Sequence, residues 1–396
     1  MQFTERRFCI AAIAAFVFSP LVTSAQTSTS SVYAKDSTPA KAAAPVLPPI
    51  DFSGILFANF QYRGDKGPAK ASNRFDVERV YLTFRMPAGD KTSIRVTTDL
   101  FQQTATGSDA YYKGWVVRAK YAYLQYNYLN GPNWKALARV GLLHTVFIDH
   151  EEQFWPRWIS TTPTERAGYF ASADAGLATS VSLPHKTGEF YATITNGPGY
   201  TSRETDRFKD YAARLTITPW ATDASSLLKT LALSGWYYRG AIASKFVSGN
   251  AAEIGPIGSG LDRNRWGFHA GENDPRLTLG ADYASRQDQG ETGLNTLALP
   301  RGVTDSTGTL VAGYAIVRPL SLASGSASSP LSLIARYDRV TTNSRTGWKY
   351  NVVIAGLIWD LSSRASFSAD YQENTPVTGA PIAPTKTYFA HFVARF

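Results

Sequence analysis

Ala365-Ser366-Phe367-Ser368-Ala369-Asp370-Tyr371-Gln372 sets apolar side chains one for one against polar ones. A β-strand turns successive side chains to opposite faces, so this stretch is a strand with one apolar and one polar side. The same period of two recurs outward from it along the chain. In Ile94-Arg95-Val96-Thr97-Thr98-Asp99-Leu100 the polar residues fall mainly on odd numbers. Ala136, Ala138, Val140 and Leu142 alternate against Lys135, Arg139 and Gly141, and Tyr211, Ala213, Leu215 and Ile217 against Arg214, Thr216 and Thr218. Leu277, Leu279, Ala281 and Tyr283 alternate against Thr278, Gly280 and Asp282. Long stripes of period 3.6 are scarce.

Many of these runs extend over about 9 to 13 residues, longer than the usual strand of a globular sheet and close to a tilted membrane strand. Their connections differ in length. Tight turns are expected at Pro87-Ala88-Gly89-Asp90, Asn130-Gly131-Pro132-Asn133 and Glu272-Asn273-Asp274-Pro275, and longer polar loops at 197–209, 240–263 and 287–308. Strands are expected to begin near Phe52, Phe75, Ser93, Val116, Trp134, Leu177, Phe190, Tyr211, Leu228, Arg265, Arg276, Leu310, Leu331, Trp348, Ala365 and Lys386. The pattern predicts an all-β fold: a transmembrane antiparallel β-barrel of about sixteen strands, an even number, with short turns at one end and long loops at the other. The third external loop is the longest.

Both ends of the chain support export to an outer membrane. Arg6 and Arg7 precede an apolar run, Phe8 to Phe18, and a small-residue stretch ending at Ala25, which together read as a signal peptide over residues 1–25. Its removal takes the lone Cys9 and leaves a charge of +8 from the full chain's +9. Residues 26–49 are rich in Ser, Thr, Ala and Pro and read as a linker, and 50–396 as one barrel. At the other end Tyr388, Ala390, Phe392, Ala394 and Phe396 share one face. This resembles the terminal strand that the barrel-assembly machinery reads, with Tyr388, Phe392 and Phe396 as the signal.

The composition fits. With 44% hydrophobic and 13% aromatic residues the chain is not disordered, and one cysteine excludes a disulfide scaffold. In hydrocarbon every backbone donor and acceptor must be paired, so a sheet there closes on itself, with an apolar outer face and aromatics at the two interfaces. Tyr62, Tyr121, Tyr123, Tyr211, Tyr283 and Tyr337 are expected in those girdles, and Tyr81 there or on the inner face.

Asn73-Arg74-Phe75-Asp76-Val77-Glu78-Arg79-Val80-Tyr81-Leu82-Thr83-Phe84 resembles an early strand of the phosphate-selective porin O/P family. Tyr121 to Tyr126, a turn, then Arg139-Val140-Gly141 before a long loop, resembles that family's next block. The resemblance runs from about Phe52 to Phe396 and implies a homotrimeric sixteen-stranded channel for small hydrophilic anions in the Gram-negative outer membrane. Where such porins often carry paired arginines, this chain has Glu78 followed by Arg79.

A porin works through pore width and charge at its constriction. Strand parity puts Arg79, Arg95, Arg118, Lys120, Arg139, Arg214 and Arg336 on the inner face, where they form an anion track or pair with Asp99, Asp282, Asp338, Asp370 or the acidic third loop. The third loop, roughly Thr145 to Asp174, carries Asp149, Glu151, Glu152, Arg157 and Arg166. Its likeness to the inward-folded porin loop implies a constriction in the lumen. His144, Asp149, His150, Glu151 and Glu152 lack the helix-spaced histidine pair of a zinc site. Gly258-Ser259-Gly260 lacks the spacing of a nucleophile elbow, and no phosphate-cradling loop or dinucleotide fingerprint occurs. Neither metal nor cofactor is expected, nor bond chemistry, nor binding of nucleic acid. The partners expected are outer-membrane lipid, the assembly machinery and small anions. An outer-membrane barrel enzyme and a secreted, soluble carbohydrate-binding β protein are the alternatives.

Overall fold

A computed structural model describes residues 49–65, 70–103, 114–243, 260–292, 302–325, 329–378 and 383–396. The expected signal peptide, all but the last residue of the linker, and Gly258-Ser259 lie outside the described residues. The strands are β1 (Asp51–Arg63), β2 (Asn73–Pro87), β3 (Thr92–Gln103), β4 (Gly114–Asn130), β5 (Lys135–His144), β6 (Ala173–Ser182), β7 (Gly188–Thr195) and β8 (Asp210–Ile217). They continue as β9 (Ala232–Ala243), β10 (Gly260–Asp274), β11 (Leu277–Thr292), β12 (Gly302–Val317), β13 (Leu331–Asn343), β14 (Trp348–Asp360), β15 (Ala365–Thr378) and β16 (Thr385–Arg395). Among the described residues three short α-helices interrupt the connections, α1 (Ile148–Glu151), α2 (Pro163–Arg166) and α3 (Pro319–Ser324), with a 3-10 turn at Pro184–Lys186.

Each strand pairs antiparallel with its sequence neighbours, and β1 pairs with β16, so the sheet is a closed sixteen-stranded barrel. The seam runs from Ile55 opposite Arg395 to Arg63 opposite Thr387. Phe396 extends it: its N–H donates to the Gly54 carbonyl at 3.0 Å, and its own carbonyl accepts from Gly54 at 2.7 Å. The Phe396 ring lies over Gly54, where a Cβ would stand 2.3 Å from the ring, so the side-chain-free residue makes room for it. Gly141 and Gly176 are cross-strand partners. A Cβ on Gly176 would be 2.0 Å from the Ile194 carbonyl oxygen, which marks a tight bend of the wall at β5 to β7.

The alternation read in the sequence becomes two faces. Leu215, Leu233, Phe268, Leu279, Val311, Leu333 and Phe392 are exposed on the outer face. Asp99, Arg214, His269, Asp282, Arg336, Asp338 and Asp370, from alternate positions, are buried on the inner one. Tyr62, Tyr211, Tyr283 and Tyr337 stand on the exposed face, as the girdle reading requires.

Tyr121 and Tyr123 do not, and Tyr81 too is buried on the inner side. The cause in β4 is a bulge: Thr97 pairs with Tyr121 and Thr98 with Ala119, which leaves Lys120 as an extra residue. Beyond it the parity of β4 is inverted, and Tyr121, Tyr123 and Gln125 follow Arg118 onto the inner face. A second bulge makes Glu78 extra in β2, between Arg79 opposite Phe57 and Val77 opposite Ala58.

Strand boundaries also shift. β12 begins at Gly302 rather than near Leu310, β10 at Gly260 rather than Arg265, β6 at Ala173 rather than Leu177, and β9 at Ala232 rather than Leu228. In β12 the added residues, Gly302 to Thr309, are mostly polar on both faces, so no alternation announces them. The turns at 88–91, 131–134 and 275–276 share one end of the barrel, as expected, but 218–231 and 318–330 at that end are longer. At the opposite end 344–347 is short and 145–172, the third connection, is long.

Candidate functional site

The inner face of β2 to β5 carries cations in contact with rings. The Arg79 Nη1 donates to Asp99 Oδ2 at 2.6 Å, and Arg118 donates to the same oxygen from Nε at 3.0 Å and Nη2 at 2.9 Å. Arg118 also packs on Phe101, 4.0 Å to the ring centre, and on Tyr200 at 4.6 Å. Asp99 is fully buried between two guanidinium groups that are about a quarter exposed. Lys120 Nζ stands 4.2 Å from the centre of Tyr81, and the Arg95 guanidinium 4.7 Å from that of Tyr121. Arg95 is also 3.1 Å from His144 Nε2. Arg139 donates to Gln125 at 3.0 Å and lies 5.1 Å from the Tyr123 ring. Among the described residues, Arg95, Lys120 and Arg139 have no carboxylate within ion-pair distance. Rings take the place of counter-ions there.

The connection 145–172 is tied to the opposite half of the wall. Arg214 Nε donates to the Val146 carbonyl at 2.8 Å, and Asn273 Nδ2 to the Gln153 carbonyl at 2.9 Å. Arg336 donates to the Thr161 carbonyl at 2.6 Å and Gln372 to that of Ile159 at 3.0 Å. Arg265 reaches the Tyr169 carbonyl at 2.5 Å and Arg286 that of Ala167 at 3.2 Å. Phe147, Trp155 and Tyr169 are buried with them. Backbone carbonyls of an irregular segment need donors, and these inner-face side chains supply them.

The acidic and basic residues singled out in this connection therefore divide. Glu151 is fully buried and accepts from Thr164 Oγ1 at 2.5 Å. Burial, with Asp282 near, holds its carboxyl well above the usual range. His150 meets Ser234 Oγ at 2.9 Å, and burial, then the charge of Arg214 and His269, holds it well below the ordinary histidine value. Arg166 donates to Asn374 Oδ1 at 2.9 Å, and burial lowers its pKa. Asp149, Glu152 and Arg157 instead border open space. Arg157 is clamped by Glu152 at 2.6 Å and Glu165 at 2.5 Å. Although burial opposes its charge, Glu165, Tyr81 and Glu152 raise its pKa.

That space is a cavity of about 430 Å³. Arg95, Lys120, Arg157, Arg318 and Arg395 line it against Asp149 and Glu152, with Tyr81, Tyr121, Trp155 and Trp158 alongside. Arg95, Lys120, Asp149, Glu152 and Arg157 are thus brought together. Arg79 and Arg118 gather at Asp99, and Arg139 lies along the wall. Arg214 and Arg336 are buried, each in an ion pair, with Glu189 at 2.6 Å and Asp338 at 2.6 Å. Tyr388, Phe392 and Phe396 lie half exposed on the outer face beside the seam. Sequence reasoning missed Arg318 and Arg395, which stand at strand ends where parity is weakest, and the inward tyrosines, for which a bulge leaves no pattern.

No family model and no curated protein matches this sequence. Solved structures do. OmpF of Salmonella typhi in complex with daunomycin matches with a TM-score of 0.58 at 11% identity, over 88% of this chain and 98% of that one. The anion-selective porin of Comamonas acidovorans matches with 0.56 at 11%, over 88% and 99%. OmpT of Vibrio cholerae, outer-membrane expressed, matches with 0.56 at 10%, over 88% and 97%. At such identities the likeness is one of architecture: this chain has the closed, sixteen-stranded antiparallel barrel of those proteins.

Proposed function

We propose that this protein is an outer-membrane porin, a water-filled channel for passive diffusion of small hydrophilic solutes with a preference for anions such as phosphate. The observation that carries the reading is a closed wall, apolar outside and charged inside, with an opening in which Arg95, Lys120, Arg157, Arg318 and Arg395 outnumber Asp149 and Glu152 even when Glu165 on Arg157 and Asp360 on Arg318 are counted. Closure pairs the backbone in hydrocarbon, and the excess of cations lowers the entry barrier for anions. In this reading the connection 145–172 lies across the lumen and narrows it, so solute passes along β1 to β5. Its hydrogen bonds to inner-face side chains of β8 to β15 support that. A signal peptide over 1–25, a homotrimer, Tyr388, Phe392 and Phe396 as the signal to the assembly machinery, and kinship with the phosphate-selective porin O/P family belong to the same reading. The trimer form of in-vitro folded OmpT of Vibrio cholerae, similar to this chain with a TM-score of 0.52, supports the homotrimer. The channel performs no bond chemistry.

A second reading keeps the channel and weakens its selectivity. Arg79 and Arg118 share Asp99, Arg214 holds Glu189, and Arg336 holds Asp338, which leaves a field across the lumen rather than a uniformly positive one. Reconstitution in a planar bilayer tests both. Stepwise conductance with a reversal potential on the chloride side in a KCl gradient is expected. Folded protein without steps refutes the channel, and a potential near zero favours the second reading.

A further inference from the structure

Outside the barrel, over β8 to β12, an apolar trough of about 590 Å³ has a floor of Gly235, Ala270 and Ala281 and walls that include Leu233, Phe268 and Tyr283. Directly beyond it along the same strands lies a second cavity of about 290 Å³, whose lining includes Asn264, Ser285, Arg286, Gln287, Thr309 and Thr341. The register joins the two. The row Phe268–Tyr283–Val311 bounds the trough, and one step along the same face the row Trp266–Ser285–Thr309 bounds the polar cavity. Trp266 divides them, 5.7 Å from Phe268 and 5.4 Å from Tyr283 between ring centres.

An arginine flanks each side. Arg239 on β9 stands opposite Asn264, and Arg339 on β13 opposite Val311 with Thr341 next on its face. Both are exposed, and neither has a partner among the described residues. Asp305, on the same face of β12, accepts from Gln287 at 3.0 Å. Four strand spacings across and four residues along the strands separate the two arginines, about 23 Å. A cation on the apolar side of a membrane barrel is costly unless an anionic headgroup meets it.

We infer that this face binds a phosphorylated, acylated amphiphile. A chain lies in the apolar trough, a hydroxyl-rich head occupies the polar cavity, and phosphates pair with Arg239 and Arg339. The inference rests on the outer-membrane reading and adds a site to it. A single-chain apolar ligand leaves the polar cavity and both guanidinium groups unused, and a soluble anion leaves the trough unused.

Native mass spectrometry of delipidated protein refolded in detergent tests it, with lipid A and dioleoylphosphatidylcholine as competing probes. Wild type is expected to prefer lipid A, and Arg239→Gln with Arg339→Gln to lower that preference roughly 25-fold, since each surface cation contributes about a factor of five. Ala281→Phe, which fills the trough, is expected to weaken both probes and leave their ratio unchanged. Equal binding of the two probes by wild type, or an unaltered ratio in the double arginine variant, overturns the site. Conductance of the same preparation reports separately on the channel, so a silent bilayer with intact lipid preference counts against the porin reading and not against this one.

Discussion

Asp99→Asn isolates what the buried carboxylate does to the field. Asp99 neutralises one of two guanidinium groups, so the cluster with Arg79 and Arg118 carries +1, and the substitution makes it +2. In a wet lumen a unit charge about 7 Å from a passing ion changes its energy by about 0.6 kcal/mol, favourably for chloride and unfavourably for potassium. Screening at 0.1 M salt roughly halves both effects, which leaves about a threefold rise in the chloride-to-potassium permeability ratio. The amide that replaces the carboxylate still offers an oxygen to the arginines, and these are partly solvated. The stability lost is therefore about 1–2 kcal/mol, small enough for the barrel to fold. The assay is the reversal potential of single channels in a KCl gradient, with the folded state checked by its resistance to unfolding in detergent. A folded variant whose potential is unchanged, or moves toward potassium, refutes the placement of this cluster on the ion path.

Replacing Arg79, Arg118 and Arg139 together with Ala is expected to move the same potential toward cations, because three charges go and Asp99 is left bare; an unchanged value means they do not set the field. Arg336→Met removes the partner of buried Asp338 and the donor to Thr161, both at 2.6 Å. The expected cost is about 3–5 kcal/mol, together with noisier conductance as 145–172 loosens, and thermal unfolding followed by single-channel recording checks both. His150→Gln tests pH dependence. A histidine held neutral by burial binds fewer protons folded than unfolded, so its contribution falls as pH drops below about 6.5, the unfolded value. Buried Glu151 slopes the opposite way over its own range, so the quantity to measure is wild type minus variant. That difference should decline from pH 7 to 5, and a flat one removes His150 from the account.

The periodicity of Ala365 to Gln372 and its counterparts was enough to read strand number, closure and the faces of Arg79, Arg95, Arg118, Arg139, Arg214 and Arg336. Alternation is a direct record of which side meets apolar surroundings. It fails where that contrast fades, as in Gly302 to Thr309, polar on both faces. It fails again at Lys120, because an extra residue inverts parity without changing composition, and Tyr121 and Tyr123 turn inward unannounced. The division of labour within 145–172 was also hidden. Glu151 and Glu152 are adjacent in sequence, yet one is fully buried and the other borders the opening, a difference set by contacts with strands remote in the chain.

The bulges at Lys120 and Glu78 give the barrel a particular freedom. Lys120 and Glu78 are supernumerary: take either out, and Ala119 still points away from Tyr121, and Val77 from Arg79, with every other pair in register. A codon lost at Lys120 would delete a charge beside the opening, and one lost at Glu78 a charge on β2, and either would leave the rest of the wall where it was. Ionic preference could thus drift between descendants of this gene while the architecture stood still.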